Sequence, residues 1–276
     1  MTPYRLLDTR HGVGAPQAKV GALDGSAGAL TVRFGGVNGI PSSGVSAISL
    51  NLTATGTSVD KYGGFVTAYP CDVALPNVSS LNFVNNVSVP NSVIVPMSAT
   101  GDICFYVRGQ ADLIADVNGW FSSSGSFTMV TPQRIADTRN GIGVAKTRVG
   151  ALNGGGTALV VPVANVAGVP ATGVDAVSVN VTVTGSKANA YGGYVTVYPC
   201  GTMPDASTLN FVSGQTVPNA AIARVSADGK VCIYVYGEAD VIVDVNGWFG
   251  SARGFTGMTP VRVSDTRNGL GSVPGK

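Results

Sequence analysis

The sequence predicts an all-β protein with two tandem homologous domains, each an antiparallel β-sandwich or a jelly-roll-like barrel. Three observations support this prediction. A long set of motifs is repeated along the chain, apolar residues alternate with a period of two, and clusters of Gly, Pro, Asn and Asp interrupt the apolar stretches. The chain has 276 residues, of which 38 are Gly, about double the usual share. We expect these glycines in the tight turns that connect short strands.

The repeat defines the expected domains. The motif P-x-R-x-x-D-T-R-x-G occurs three times, beginning at Pro3, Pro132 and Pro260. The period of about 128 residues is too long for solenoid or propeller units and suits whole domains. We therefore predict a first domain, a second domain, and a segment that either starts a third repeat or closes the second domain, over residues 1–129, 130–258 and 259–276. The sequence leaves open whether each D-T-R segment belongs to the preceding or the following repeat.

Strand positions follow from the alternation within each repeat. In A-I-S-L-N-L-T, the apolar Ile48, Leu50 and Leu52 alternate with polar residues, which is typical of a strand with one buried face. The same pattern recurs around Val179 in the second repeat. Four further pairs of segments have this character and end in turn residues: G-F-V-T-A-Y-P and G-Y-V-T-V-Y-P, S-V-I-V-P-M-S-A and A-A-I-A-R-V-S-A, I-C-F-Y-V-R-G and V-C-I-Y-V-Y-G, L-I-A-D-V-N-G-W-F and V-I-V-D-V-N-G-W-F.

Each repeat contains two cysteines at corresponding positions, Cys71 and Cys104 in the first and Cys200 and Cys232 in the second. Four cysteines allow three pairings. The duplication favours one disulfide within each repeat, Cys71 with Cys104 and Cys200 with Cys232. Each bond would add a few kcal/mol of stability. Disulfides indicate an oxidising compartment, so we expect a secreted protein that is extracellular or on the cell surface.

The charge pattern excludes several classes of partner. Lys and Arg number 17 against 15 Asp and Glu, and charged residues make up only 12% of the chain. Without a basic cluster, binding to nucleic acid is not expected. No apolar stretch reaches the roughly 18 residues of a membrane helix, so membrane insertion is not expected either. The single histidine, His11, has asparagine at its equivalents Asn140 and Asn268, so the repeat does not require an imidazole. We predict no cofactor.

The D-T-R motif supplies the first candidate site residues: Asp8 and Arg10 in the first copy, and Asp137 and Arg139 in the second. In an extended strand these two side chains share a face, where the guanidinium reaches the carboxylate. The pair then either fixes the segment to its domain or forms a polar subsite for hydroxyl or carboxylate groups.

The motif A-D-x-x-x-D-V-N-G-W supplies a second set of carboxylates, at Asp112, Asp116, Asp240 and Asp244. In a strand, Asp112 and Asp116 are about 13 Å apart, which is too far to share a metal ion or to act as a glycosidase pair. The D-V-N-G run matches only part of a calcium loop. We therefore predict no metal site and no enzyme activity, and regard Asp116 and Asp244 as candidate ligands for hydroxyl groups.

Tyrosines and asparagines beside turns complete the candidate site. Amides, carboxylates and an aromatic face are the groups that bind sugars. The alternative is that the asparagines only stabilise turns, and we expect Trp120 and Trp248 in the core. The candidate ligand-binding residues are Asp8, Arg10, Tyr62, Asn82, Asn91, Asp116, Asp137, Arg139, Tyr191, Asn210, Asn219 and Asp244.

Taken in order, the motifs P-x-R-x-x-D-T-R-x-G, Y-G-G-[FY]-V-T-x-Y-P-C, L-N-F followed by P-N, and D-V-N-G-W-F resemble the tandem β-repeat modules of secreted actinobacterial proteins. Such modules recur in series or are appended to exported peptidases and other enzymes. The resemblance covers nearly the whole chain and implies an extracellular, non-catalytic accessory module.

Two functions fit these observations. The first is a secreted carbohydrate-binding, lectin-like tandem module that attaches a larger protein or particle to a glycan or cell-surface polysaccharide, with two sites acting together. The alternative is a structural repeat of an extracellular adhesin, stalk or filament, in which the D-T-R segment of one repeat completes the next by strand exchange. Its partners would be neighbouring repeats or the remainder of a longer protein.

Overall fold

A computed structural model describes residues 2–16, 20–251, 255–265, 267 and 269–271. These residues form antiparallel strands, turns and short 3-10 segments, which confirms the all-β prediction. Within the described ranges, no helix has the length and apolar character needed to cross a membrane.

Residues 4–122, here called the first body, form two antiparallel sheets. Their strand orders are β1-β8-β3-β6 and β2-β7-β4-β5. The strands are β1 (Tyr4–Asp8), β2 (Leu30–Arg33), β3 (Val45–Ser58), β4 (Gly64–Pro70), β5 (Leu81–Phe83), β6 (Val89–Pro96), β7 (Asp102–Arg108) and β8 (Gln110–Ser122).

Residues 127–250, here called the second body, repeat this arrangement. The strands are β9 (Phe127–Asp137), β10 (Leu152–Asn153), β11 (Leu159–Pro162), β12 (Val174–Lys187), β13 (Gly193–Pro199), β14 (Leu209–Phe211), β15 (Val217–Arg224), β16 (Lys230–Tyr236) and β17 (Glu238–Gly250). One sheet has the order β10-β17-β12-β15, with β9 also paired to β17, and the other has the order β11-β16-β13-β14.

Strand pairing decides which body holds each D-T-R segment. β1 pairs with β8, and β9 pairs with β17, so each segment joins the body that follows it in the chain. β9 begins three residues before the predicted boundary at residue 130. In the last segment, the only β-pairing of the described residues is the isolated bridge between Asp265 and Leu270. They do not close the second body as a strand.

Alternating side chains build the cores. Ile48, Leu50 and Leu52 of β3 are fully buried, while Ser49 and Asn51 between them face outward and are half-buried. Each body encloses its own apolar cluster, and no residue of one cluster comes from the other body. Burial of these side chains is the main stabilising term of each body.

Both disulfides form as the duplication predicted, Cys71 with Cys104 and Cys200 with Cys232. In the first body the bond links Cys71, just after β4, to Cys104 of the neighbouring β7, because Tyr69 of β4 already pairs with Cys104. The second bond links Cys200, just after β13, to Cys232 of β16 in the same way. The two bonds indicate an oxidising environment.

Four phenylalanines form a row between the bodies. The ring centroids of Phe121 and Phe127 lie 4.8 Å apart, those of Phe127 and Phe249 5.0 Å, and those of Phe249 and Phe255 4.2 Å. Phe121 belongs to the first body and Phe249 to the second, so this cluster joins the two bodies. Aromatic pairs at these distances are stabilising beyond the area they bury.

The D-V-N-G-W-F motif has different surroundings in the two bodies. Trp120 is 38% exposed, so its predicted core position is wrong. Trp248 is half-buried and packs against the second core. The glycines that precede the two tryptophans also have different surroundings. A Cβ added to Gly247 would lie 2.2 Å from the ring of Phe127, whereas one added to Gly119 meets no described atom within 4 Å.

We therefore expect Gly247→Ala to lower the free energy of unfolding by about 1–3 kcal/mol, because the buried Phe127 ring has no room to move. The matched variant Gly119→Ala should change it by less than about 0.5 kcal/mol. Urea denaturation of both variants measures the difference. Equal effects would show that the row of phenylalanines does not constrain this position.

Candidate functional site: a cleft between the bodies

A tight turn holds Tyr62 out from the first body. The carboxylate of Asp60 accepts a hydrogen bond from the backbone of Tyr62 at 2.9 Å, and Gly63 closes the turn onto the carbonyl of Asp60 at 3.1 Å. Gly63 has a φ of 73°, which favours glycine. The Tyr62 side chain is consequently 74% exposed, and its equivalent Tyr191 is 96% exposed.

The second glycine of Y-G-G brings β5 against β4. A Cβ on Gly64 would lie 2.3 Å from the ring of Phe83, so this ring can pack only over a glycine. The pairing sets Phe65 opposite Asn82, and Ser79 donates a hydrogen bond to the amide oxygen of Asn82 at 2.9 Å. Tyr62 and Asn82 thus lie on one surface.

The D-T-R-x-G-x-G sequence folds into a compact loop. Asp8 accepts hydrogen bonds from the backbone, Nε and Nη2 of Arg10 at 3.2, 2.9 and 2.6 Å. Hydrogen bonds and the charge of Arg10 hold the pKa of Asp8 below its ordinary value. Thr9–His11 is a 3-10 turn, so the expectation of an extended strand is wrong here, and Arg10 reaches Asp8 by folding back. Asp137 and Asp265 repeat these bonds.

The arginine of the P-x-R motif connects the two motifs that the sequence presented separately. Arg5 contacts Asp116 at 2.9 Å and Asp8 at 3.3 Å. Thr9 donates a hydrogen bond to Asp112 at 2.8 Å. Arg5 is not among the candidate residues predicted from the sequence. The pairing of β1 with β8, which places Arg5 opposite Asp116, makes it part of the network.

A cleft of about 300 Å³ lies where the two bodies meet. The first body contributes Tyr62 and Asn82, and the second contributes Arg134, Arg139 and Thr182. The predicted aromatic and amide residues therefore meet the D-T-R arginine of the next repeat, not that of their own repeat. The Thr182 hydroxyl is buried and has no hydrogen-bond partner among the described residues.

A second cleft, of about 900 Å³, repeats the first at the far side of the second body. Tyr191 and Asn210 line it from the second body, and Arg262, Asp265 and Arg267 line it from the last segment. The equivalents of Tyr62, Asn82, Arg134 and Arg139 are thus all present. The arrangement of one body against the next D-T-R loop recurs within the chain.

Carboxylates neutralise the arginines of the first cleft. Arg139 is bound to Asp137 at 2.7 Å and Arg108 to Asp60 at 3.3 Å. Arg134 contacts the nearly buried Asp244 at 2.9 Å. Burial raises the pKa of Asp244 although Arg134 opposes the rise. The cleft therefore offers hydrogen-bond donors from paired guanidinium groups without an excess of positive charge.

The second cleft continues onto a tyrosine surface that is not among the sites predicted from the sequence. The rings of Tyr194 and Tyr236 stack with centroids 5.2 Å apart and an interplanar angle of 17°. Both adjoin Tyr191 around a shallow depression. The alternation in G-Y-V-T-V-Y-P predicts this position, because Tyr194 lies on the face of the strand opposite to the buried Val195 and Val197.

Several predicted ligand residues lie elsewhere. Asp8, Arg10 and Asp116 are joined through Arg5 in the first body and are not part of the Tyr62 cleft.

Asn91 and Asp244 are only 4% and 3% exposed, so they are not accessible ligand groups. Asn219 donates a hydrogen bond to the carbonyl of Thr208 at 2.7 Å, as Asn91 does to Ser80. The amides of both asparagines fix the chain before the L-N-F strand, in agreement with the structural alternative.

The described residues contain no group of three or more His, Cys, Asp or Glu side chains that could hold a metal ion. Comparisons with protein-family models, curated proteins and solved structures find no match to this chain.

Proposed function

We propose that the chain is a secreted, non-catalytic carbohydrate-binding module that holds a neutral glycan in the clefts beside Tyr62 and Tyr191. The observation that supports this most strongly is the recurrence of one set of groups. Each cleft combines an exposed tyrosine, an asparagine and a D-T-R arginine.

The groups suit a polyhydroxylated ligand. A tyrosine ring packs against the apolar face of a sugar ring, while amide and guanidinium groups bond to its hydroxyls. Because Arg139 is already paired with Asp137, the cleft has little attraction for an anion and favours a neutral sugar.

Two clefts in one chain would strengthen attachment to a repetitive glycan. A ligand that spans both sites converts two weak contacts into one avid contact. Such a module attaches a larger protein or particle to a glycan-bearing surface. The two disulfides agree with an extracellular location.

Tyr62→Ala and Tyr191→Ala are each expected to weaken binding at one cleft by about ten-fold or more, since the aromatic contact is lost. The double variant should lose detectable binding on a glycan array. Tyr62→Phe keeps the ring and serves as the control. The proposal is wrong if the unmodified chain binds no glycan, or if the double variant binds as the unmodified chain does.

A structural repeat is the second candidate function, favoured by direct hydrogen bonds between the bodies. Asn91 of the first body donates to Asn180 of the second at 3.0 Å, and Asn180 donates to the carbonyl of Ser79 at 2.7 Å. This candidate does not include strand exchange, because β1 and β9 each pair with a strand of their own body.

A further inference from the structure

The contact between the bodies joins two different surfaces. The front face is the outer surface of the β9-β17-β12-β15 sheet and carries Asn180, Asp244 and Asn246. The rear surface belongs to the first body and carries Ser79, Asn91 and Ile94. Asn246 donates a hydrogen bond to the carbonyl of Ile94 at 3.0 Å, and the backbone of Ala220 donates to Asn91 at 3.2 Å.

Each body has both surfaces, so among the described residues one copy of each has no partner body. The front face of the first body carries Asn51 and Asn118, the equivalents of Asn180 and Asn246. Asn51 is half-buried and Asn118 exposed, whereas Asn180 is only 5% exposed.

The rear surface of the second body is likewise without a partner body. Its residues Ser207, Asn219 and Ile222 are the equivalents of Ser79, Asn91 and Ile94 in the covered surface. Ile222 is 46% exposed, compared with 9% for Ile94. An apolar side chain that is covered in one body is therefore presented to solvent in the other.

The two open surfaces carry the groups that already bind each other inside the chain. Asn51 and Asn219 can repeat the bond between Asn180 and Asn91, and Asn118 can repeat that of Asn246. We propose that the open front face of one copy docks onto the open rear surface of a second copy, in the geometry of the contact between the bodies. This inference does not depend on sugar binding at the clefts.

Such a contact is heterologous, because each partner uses a different surface. A heterologous contact leaves one front face and one rear surface free after every addition, so association continues into a linear assembly unless the geometry closes into a ring. The occupant of each surface is thus another copy of this chain.

The last segment lies where the docking copy must bind. Arg262 and Arg267 occupy the position at the second body that their equivalents Arg134 and Arg139 occupy at the first. In a docked pair, Arg5, Asp8 and Arg10 of the incoming copy take this place, so the segment moves aside. Its ion pair with the second body, Arg262 with Asp205 at 3.5 Å, uses a carboxylate that is 94% exposed.

Sedimentation velocity of the full chain over a range of concentrations tests the proposal. The unmodified chain is expected to form larger species as its concentration rises. Asn51→Arg blocks the front face and Ile222→Arg blocks the rear surface, so each variant should remain monomeric. Val160→Arg adds the same charge at an exposed position of the other sheet and should associate normally. Circular dichroism establishes that the variants are folded.

Mixing the two blocked variants gives the sharpest result. Asn51→Arg keeps an intact rear surface and Ile222→Arg an intact front face, so an equimolar mixture should form dimers that cannot grow. A monomeric unmodified chain, variants that associate normally, or a mixture without dimers would each overturn the proposal. Normal binding of Tyr62→Ala to a second copy, beside weakened glycan binding at the Tyr62 cleft, separates this contact from the sugar site.

Removal of residues 258–276 provides an independent test, because none of the described residues of this segment belongs to either apolar core. The shortened chain should associate more strongly, since the rear surface no longer has to be cleared. Weaker association would show that the segment itself joins the partner as an exchanged strand, which contradicts docking of intact bodies.

Discussion

Asp137→Ala is expected to lower the free energy of unfolding by about 3 kcal/mol, because it leaves Arg139 without its hydrogen-bonded carboxylate and Arg134 with Asp244 alone. Asp137 is fully buried. It accepts hydrogen bonds from Nε and Nη2 of Arg139 at 2.9 and 2.7 Å. Asp137 ends β9, which pairs with β17. The substitution therefore also loosens this edge of the second body. Urea denaturation measures the change.

The chain contains a matched control for this variant. Asp265 makes the same bonds to Arg267 and Arg262, and its pKa is lowered to about 2 by Arg267. Its segment pairs with no strand of either body within the described residues. Asp265→Ala should therefore leave the unfolding transition unchanged, and equal destabilisation by both variants would contradict the explanation.

The pH dependence provides a second readout. Burial raises the pKa of Asp137, but the hydrogen bonds and charge of Arg139 outweigh it and hold the pKa below the ordinary value of 3.8. A lowered pKa contributes stability that is present above 3.8 and is lost as the pH falls through the folded-state pKa. The stability difference between the unmodified chain and Asp137→Ala should consequently shrink below that pH.

Replacing Cys71 and Cys104 together by alanine is expected to lower the free energy of unfolding of the first body by about 3–4 kcal/mol. The bond closes a loop across a sequence separation of 33 residues, and its loss restores the conformational freedom of that loop in the unfolded chain. The Cys200 and Cys232 pair, with a separation of 32 residues, should behave alike.

Reduction of the unmodified chain with a thiol is the control, since it removes both bonds without changing a residue. A stability that is the same with and without reductant would show that neither bond constrains the unfolded chain. Each double variant should retain the remaining disulfide, which mass spectrometry of the unreduced protein verifies.

The sequence predicted the strands and disulfides well because both depend on local or repeated information. Alternation at Ile48, Leu50 and Leu52 reports which side of a strand faces the core, and duplication reduces the possible cysteine pairings. The position of Arg10 was predicted less well, since a side chain that folds back in a turn leaves no periodic pattern.

The repeat in the sequence could not show which surfaces of the two bodies are covered. Asn91 and Asn219 occupy the same motif, yet Asn91 also bonds across to the second body while the described bonds of Asn219 stay within its own. Which surface of one body meets the next depends on contacts far apart in sequence. A repeat shows that two residues are equivalent without showing which of them is covered.

The pairing of first and last strands determines how each body would respond to tension. Tyr4 pairs with Val117 near the end of β8, and Phe127 pairs with Phe249 near the end of β17. The chain therefore enters and leaves each body at the same end. A pulling force along the chain opens the β9–β17 hydrogen bonds one after another, as in a zipper, instead of shearing them together. Under such a force each body would unfold by stepwise separation of its first and last strands.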